Sequence, residues 1–357
     1  MRLVVQIPCL NEEETLPTVL ESIPKKIPGI DDIIILVIDD GSTDRTVEVA
    51  ESMGVTHFVR HARNQGLGRS FHDGVQRALE LGADIVVNTD GDNQYPQERI
   101  TDLVQPIVNG QADIVIADRQ VHLVEHFSKG KIMLQKLGSR IVNRAAGTDL
   151  PDAASGFRAY SRDSLMVLNT ITRFSYCMET IIQAGNKKLK CVSVPVLTNP
   201  KTRESRLFKS TRQHVMKSAG AIIRAYIMYK PYIIFTALAV LFGVLGVIPY
   251  VRFLILQLGD NPGSHLQSLL VGAVLLIMSF LSVIIGIISD LIRTNRTLIE
   301  DTLEHTKKMR FGKDEFSGNG FGGRASAPAS QDGYGAQVPA PQAGGDGAAR
   351  PVQSLTG

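Results

Sequence analysis

Residues 83–96 read ADIVVNTDGDNQYP, a short β-branched apolar run that ends on two carboxylates separated by one glycine. The apolar run fits a buried strand. Asp90 and Asp92 then stand together just beyond its carboxyl end, where open α/β sheets place their ligands. Two acids this close raise each other's energy unless something neutralises them, so a cationic partner is expected there.

Outward from this stretch, the runs LVVQI, IIILVI, HFVRH and DIVIA repeat the pattern and alternate with amphipathic segments over roughly the first 200 residues. That order predicts an α/β layer fold with a mostly parallel sheet. The segment LNEEETLPTVLESI predicts the first helix: Asn11 caps it, Glu12 to Glu14 suit its positive end, and Leu16, Val19, Leu20 and Ile23 share a face. In VIDDGSTD, Asp39 and Asp40 close the second strand, and Ser42, Thr43 and Asp44 are caps for the next helix. Taken alone, this is an ordinary turn. The first strand-to-helix turn has no glycine, and the later GLGRS lacks the third glycine of GxGxxG, which disfavours a dinucleotide enzyme.

The formal charge of +3 on 357 residues says little, but its distribution is uneven. Residues 201–230 hold eight Lys or Arg against one acid, Glu204, directly before an apolar run. Residues 231–251 and 266–289 carry no charge, and each is long enough to cross a hydrocarbon core of about 30 Å. The link QLGDNPGSH has no Lys or Arg, whereas Arg293, Arg296, Lys307, Lys308 and Arg310 follow the second run. A transmembrane hairpin with both ends cytoplasmic is expected. The expected division is a catalytic domain over 1–205, an amphipathic juxtamembrane helix over 206–230, the hairpin over 231–292, a basic segment over 293–310 and a disordered tail over 311–357. Cys9, Cys177 and Cys191 form no CxxC pair, so neither a disulfide framework nor a zinc site is indicated. The N-terminal stretch is ended too early by acids to be a signal peptide.

Three strand ends, at Pro8 to Glu12, Asp39 to Asp40 and Asp90 to Asp92, would bring acids and amides to one edge of the sheet. Oxygen ligands without His or Cys suit Mg²⁺ or Mn²⁺, ions usually completed by substrate phosphates. A nucleotide diphosphate is therefore the expected ligand, and no nucleic acid is expected. The set PCLNEE, VIDDGSTD, NQGLG, TDGDNQYP and DAASGFRAYSR, in this order and spacing, resembles the family 2 glycosyltransferases of GT-A fold. With the hairpin, the chain resembles the branch of dolichyl-phosphate mannose synthases and undecaprenyl-phosphate glycosyltransferases.

The resemblance implies a sugar transfer from a nucleotide-diphosphate sugar to a polyprenyl phosphate, metal-assisted and inverting. It implies a multi-pass protein of the plasma (inner) membrane, or of the ER membrane in a eukaryote, with its catalytic domain cytoplasmic; whether it is a homo-oligomer stays open. Residue by residue, it implies that Pro8, Asn11, Glu12, Asp40 and Asp90 hold the nucleotide and that Asp90, Asp92 and Gln94 hold the metal and diphosphate. Arg119, Ser139, Arg140 and Arg203 would grip the acceptor phosphate, and Asp92, Asp152 and Arg119 would be the catalytic group. The segment NPKTRESRLFKS departs from the pattern, because many relatives carry a Gly and a Ser-Lys pair there. Processive synthases share the acidic motifs but add QxxRW, and this chain has no tryptophan. The remaining alternatives are a transferase with another acceptor and a non-catalytic membrane scaffold, for which an intact acidic pair has no use.

Overall fold

The computed structural model describes residues 1–120, 129–170, 176–200, 220, 231–258 and 266–312. Arg203, the juxtamembrane segment up to 230 apart from residue 220, the link between the apolar helices and the tail after 312 lie outside the described residues.

Seven strands form one sheet: β1 (Arg2–Cys9), β2 (Asp32–Asp39), β3 (His57–Arg60), β4 (Ile85–Asn88), β5 (Ile114–Asp118), β6 (Arg158–Ser161) and β7 (Cys191–Pro195), in the order β3-β2-β1-β4-β6-β5-β7. All pairs are parallel except those of β6, which runs antiparallel between β4 and β5. The mostly parallel α/β architecture expected from the alternation is thus present. The six parallel strands end at one edge, where β6 begins.

Both faces of the sheet are covered, which is why its strands read as continuous apolar runs. On one side, Val4, Leu36, Ile38, Val86, Ile114 and Ile116 meet α3 (Leu67–Glu80), α5 (Lys129–Ala146), α6 (Arg162–Val167) and α7 (Tyr176–Asn186). On the other, Leu3, Val5, Ile7, Val37, Val87 and Val115 meet α1 (Leu16–Ser22), α2 (Thr46–Ser52) and α4 (Ile100–Val108). Leu3, Val5 and Ile7 lie on one face and Val4 on the other, the alternation a pleated strand imposes.

The first helix starts later than its caps suggested. Its N-cap is Thr15, with Pro17 in the first turn, a place where a missing N–H costs nothing. Asn11 instead takes a left-handed φ of 57° and its Oδ1 accepts the N–H of Thr43 at 2.7 Å, tying the first loop to the second. The expected caps of the next helix also shift in role. Asp44 Oδ1 accepts the Thr46 N–H at 3.0 Å, whereas Asn11 and Ser42 are joined by an N–H···Oγ bond of 2.9 Å.

Among the described residues, two helices are long and apolar enough to cross a membrane: α8 (Pro231–Leu258) and α9 (Leu266–Phe311). They run as an antiparallel pair, and Ser279 Oγ donates to the Ala239 carbonyl at 2.7 Å. Small residues permit the close approach: a side chain at Gly246 would meet Leu276 at 3.0 Å, and one at Gly286 would meet Phe235 at 3.1 Å. The basic segment 293–310 is no separate element. It continues α9 without a break to Phe311, which was expected in the tail but is 7% exposed and packs in the core beside α6.

Candidate active site

The loops after β1, β2, β3 and β4, the first residues after β5 and β7, and the loop that leads into β6 lie at the carboxyl edge of the sheet. The loop after β4 carries the acidic pair. Gly91 lets it press on the loop after β1, because a side chain there would lie 2.9 Å from Cys9 Sγ and 3.3 Å from Glu12 Cγ. Thr15 Oγ1 spans the same junction, 2.9 Å from Glu12 Oε2 and 2.8 Å from the Gly91 carbonyl. Glu12 is buried, with its N–H donating to Thr46 Oγ1 at 2.8 Å, and Pro8 is half-buried beneath it at the end of β1.

Asp90 carries the electrostatic signature of the site. Burial and then the charge of Asp92 push its carboxyl up to about 7, with Arg119 opposing and Glu12 adding to the rise. Gln94 turns its NH₂ to Asp92 Oδ2 at 2.7 Å and its backbone N–H to Oδ1 at 3.2 Å. These two bonds let Gln94 brace Asp92, and its Oε1 takes part in neither. Among the described residues no group of three or more His, Cys, Asp or Glu could hold an ion. The two carboxylates therefore fit a divalent cation shared with the oxygens of a ligand, not a cage supplied by protein alone. An acidic pair that holds one of its own protons near neutrality is what such a cation would relieve.

This raised carboxyl has a testable sign. Because Asp90 is easier to protonate folded than unfolded, its stabilising contribution is present below about pH 4 and is lost as pH rises through about 7. Thermal midpoints of chelator-treated protein, taken from pH 4 to 8, should show a downward component that is missing in Asp90→Asn. Mn²⁺ should raise the wild-type midpoint more at pH 8 than at pH 5.5, since a bound cation displaces the proton. Identical pH profiles for wild type and Asp90→Asn would show that Asp90 ionises normally.

Arg119 follows β5 and grips Asp152 with two bonds, Nε to Oδ2 at 2.6 Å and Nη2 to Oδ1 at 3.0 Å. Burial works against the guanidinium's charge, but the Asp152 carboxylate outweighs it and holds the Arg119 pKa well above the ordinary value. Asp152 is buried, while the Arg119 side chain stays 22% exposed. The loop from Asp152 to Gly156 packs on the acidic side too: a side chain at Gly156 would lie 3.7 Å from Asp90 Oδ2 and 3.2 Å from the Tyr176 hydroxyl. Gly156 donates its N–H to the Tyr95 hydroxyl at 3.2 Å, and its carbonyl accepts from Asn88 Nδ2 at 3.1 Å.

Other residues proposed from sequence are engaged in contacts within the protein. Asp40 has both oxygens engaged: Oδ1 faces His61 Nδ1 at 2.7 Å and accepts the Gln65 N–H at 2.8 Å, while Oδ2 accepts the Gly66 N–H at 2.9 Å. It anchors the NQGLG loop, and its neighbour Asp39, bonded through Oδ1 to the Ser42 N–H at 2.9 Å, is the carboxylate at the end of β2 with fewer commitments. Ser139 is buried on α5 and accepts the Ala153 N–H at 3.3 Å, so its hydroxyl supports the Asp152 loop. Arg140 is exposed one position further on that helix and therefore points away from Ser139.

Two residues carry structural duties that sequence reading did not give them. Arg158 is wholly buried and donates to the carbonyls of Ala153 (2.9 Å), Ser155 (2.7 Å) and Cys177 (2.9 Å) and to Thr180 Oγ1 (2.9 Å), which fixes the Asp152 loop from behind. His61 lies between Asp40 and Asp73, with Nε2 3.1 Å from Asp73 Oδ2. A guanidinium inside the apolar run GFRAY was the available signal, because a buried charge must find partners.

Residues 4–168 match the family described as Glycosyl transferase family 2. The chain is 30% identical over 215 residues to a UDP-N-acetylglucosamine--dolichyl-phosphate N-acetylglucosaminyltransferase of Methanococcus voltae, covering 54% of this chain and 83% of that one. It is 30% identical over 175 residues to an undecaprenyl-phosphate mannosyltransferase of Micrococcus luteus, covering 47% of this chain and 70% of that one. A glucosyl-3-phosphoglycerate synthase of Mycobacterium tuberculosis, crystallised with Mn²⁺, UDP and glucosyl-3-phosphoglycerate, overlays at a TM-score of 0.49 and 21% identity. That overlay covers 63% of this chain and 78% of the other, and is too weak to place any residue.

Proposed function

The chain belongs to glycosyl transferase family 2 and is a glycosyltransferase, and on that premise we propose that it moves a sugar from a nucleotide-diphosphate donor to a polyprenyl phosphate at the cytoplasmic face of a membrane. Relatives named for dolichyl-phosphate and undecaprenyl-phosphate transfer support the acceptor class. The observation that carries the reading is the acidic pair Asp90 and Asp92 within electrostatic reach of a partly exposed Arg119, in a chain whose described residues include two long apolar helices.

Donor binding falls to the loops after β1, β2 and β4. Pro8, Asn11 and Glu12 wall the nucleotide side, Asp39 accepts from the base or ribose, and Asp40 keeps the NQGLG loop in place. Asp90 and Asp92 would hold Mg²⁺ or Mn²⁺ against the diphosphate, where a divalent ion supplies Lewis-acid stabilisation of the leaving charge. Gln94 keeps the Asp92 carboxylate aimed at that point. On the acceptor side Arg119 has five N–H groups, of which Asp152 takes two, leaving the others for phosphate oxygens. Asp152, committed to that pair, orients Arg119 and is not a proton acceptor. None is needed: the acceptor phosphate is already ionised near neutral pH and attacks the anomeric carbon directly, a single displacement that inverts it.

The test is a screen of nucleotide sugars against polyprenyl phosphate with the purified protein, the lipid product identified by mass; no glycosylated lipid with any donor would overturn the reading. Within it, Arg119→Ala should weaken the apparent affinity for polyprenyl phosphate roughly tenfold or more, the worth of a charge-assisted bond of about 1.5–3 kcal/mol. Binding of nucleotide diphosphate with Mn²⁺, followed by calorimetry, should hardly change. Loss of nucleotide binding alone would move Arg119 to the donor diphosphate.

A further inference from the structure

One face of α9 is used inside the molecule. Gly272, Ser279 and Gly286 lie against α8, and further along Glu300 is buried and Lys307 Nζ donates to the carbonyls of Leu165 and Leu168 at 3.3 and 2.6 Å. These five stand seven or fourteen residues apart, so they share a face. The opposite face carries a second repeat. From Leu270 it steps alternately four and three residues at a time through Ile277 and Ile284 to Ile288, every member Leu, Ile or Val and every one exposed. It continues with the same steps through Leu291, Asn295, Leu298, Thr302, His305 and Met309, all exposed too.

Lipid covers such a stripe only inside the bilayer. Asp290 ends the uncharged run, and Leu298 stands about 12 Å beyond it along the helix, past the headgroups. Yet Leu298 and its neighbour Ile299 are each 60% exposed, and Met309 is 81% exposed. No Asp, Glu, Lys or Arg falls on the stripe, although charged residues crowd the rest of the helix after Asp290. Thr302 donates its hydroxyl to the Leu298 carbonyl at 2.9 Å, so covering it strands no hydrogen bond. A heptad repeat held for this length is the pattern of a coiled coil. Asn295 falls on its a position, with Leu291 and Leu298 at the flanking d positions, and a single asparagine there fixes register and oligomer state.

The partner has to run beside α9 from the bilayer into water and present a matching repeat at the same height. A second copy in the same membrane does this: both α9 helices leave the lipid in one direction at one depth, so each residue meets its equivalent across a two-fold axis. We propose that α9 pairs in parallel with α9 of a second copy of this chain, along the stripe from Leu270 to Met309. The seam is about 60 Å long, enough for each helix to contribute more than the roughly 800 Å² that a standard interface takes from one partner. The catalytic domains, held by the opposite face, lie outside it. The proposal goes beyond the transfer reading and uses none of its chemistry; it rests on α8 and α9 crossing a bilayer.

Two measurements on the full chain test it. In phospholipid vesicles, oxidation should cross-link Thr302→Cys into a dimer at least tenfold more than Thr297→Cys, an exposed position off the stripe; the wild type, with Cys9 and Cys177 buried, gives the background. Equal cross-linking would overturn the seam. In detergent, light scattering should find two chains per particle for the wild type and for Thr297→Glu, and one for Leu298→Glu. Two chains for Leu298→Glu, or one for the wild type, would overturn the pairing. A monomeric wild type in which Thr302→Cys reacts with a thiol reagent at least tenfold more slowly than Thr297→Cys would assign the stripe to residues 206–230 of the same chain instead. A chain that does not float with the vesicles would remove the membrane reading and the pairing together. Neither measurement reads sugar transfer, so a failed donor screen leaves the pairing standing and a monomer leaves the transfer reading standing.

Discussion

Asp92→Asn is expected to lower sugar transfer by roughly 10²–10³-fold, about 3–4 kcal/mol of transition-state stabilisation. The change keeps size and shape but halves the negative charge of the acidic pair, so a divalent ion and the diphosphate it binds lose their firmest hold. Because Gln94 can still bond the new amide, the loop should keep its shape and the thermal midpoint should change little. Asp90, freed of its neighbour's charge, should at the same time titrate lower, since Asp92 is the second cause of its raised pKa. Gln94→Ala separates the roles: a brace acting through Asp92 should cost on the order of ten- to a hundredfold and be partly recovered by excess Mn²⁺. The check is initial rates over a Mn²⁺ titration, with product measured directly. An Asp92→Asn protein within fivefold of wild type would place the diphosphate site elsewhere.

Arg158→Met should have the largest effect on stability. The methionine fills much of the volume but leaves three backbone carbonyls, those of Ala153, Ser155 and Cys177, without the donor that now serves them. Buried acceptors stripped of a charged donor cost about 1–3 kcal/mol each before relaxation, so a loss on the order of 3–5 kcal/mol is expected. For a domain of this size that lowers Tm by roughly 10 °C. Arg158→Lys keeps the charge but not the fork, and should fall between. Since Ala153 and Ser155 flank the Asp152 loop, surviving Arg158→Lys protein should also show weaker acceptor binding than donor binding. A Tm within 2 °C of wild type for Arg158→Met would mean that water or a rearranged loop replaces the guanidinium.

Much of this was legible because the signals were local. The strands announced themselves as β-branched runs, and their acidic ends followed from the rule that parallel sheets gather ligands at the carboxyl edge. What failed was what depends on partners distant in sequence. Asn11 looked like a cap, but its side chain is captured by Thr43, 32 residues away, so the helix begins at Leu16. Asp40 has its oxygens bonded to His61, Gln65 and Gly66, contacts that no local pattern announces. Ser139 and Arg140, adjacent in the chain, are parted by the helix turn of about 100° per residue, which buries the first and exposes the second. Arg158 sat in view inside an apolar strand. Its duty appeared only once the loop and α7 had come to it.

The position of β6 has a consequence for how the chain assembles itself. Strands β1 to β4 pair with one another as soon as they are made, but β4 and β5 are not neighbours: the antiparallel β6 lies between them, and it is followed in the chain by α6 and α7. Until residues 158–161 arrive, β4 shows an open edge and β5, whose partners β6 and β7 both come later in the chain, has no strand to pair with. Pairings at such long sequence separation form slowly and leave intermediates prone to associate. Ribosome-stalled chains ending near residue 150 should therefore be protease-sensitive and quick to aggregate. Chains that extend past β7 should have a closed sheet before either apolar helix has to find the bilayer.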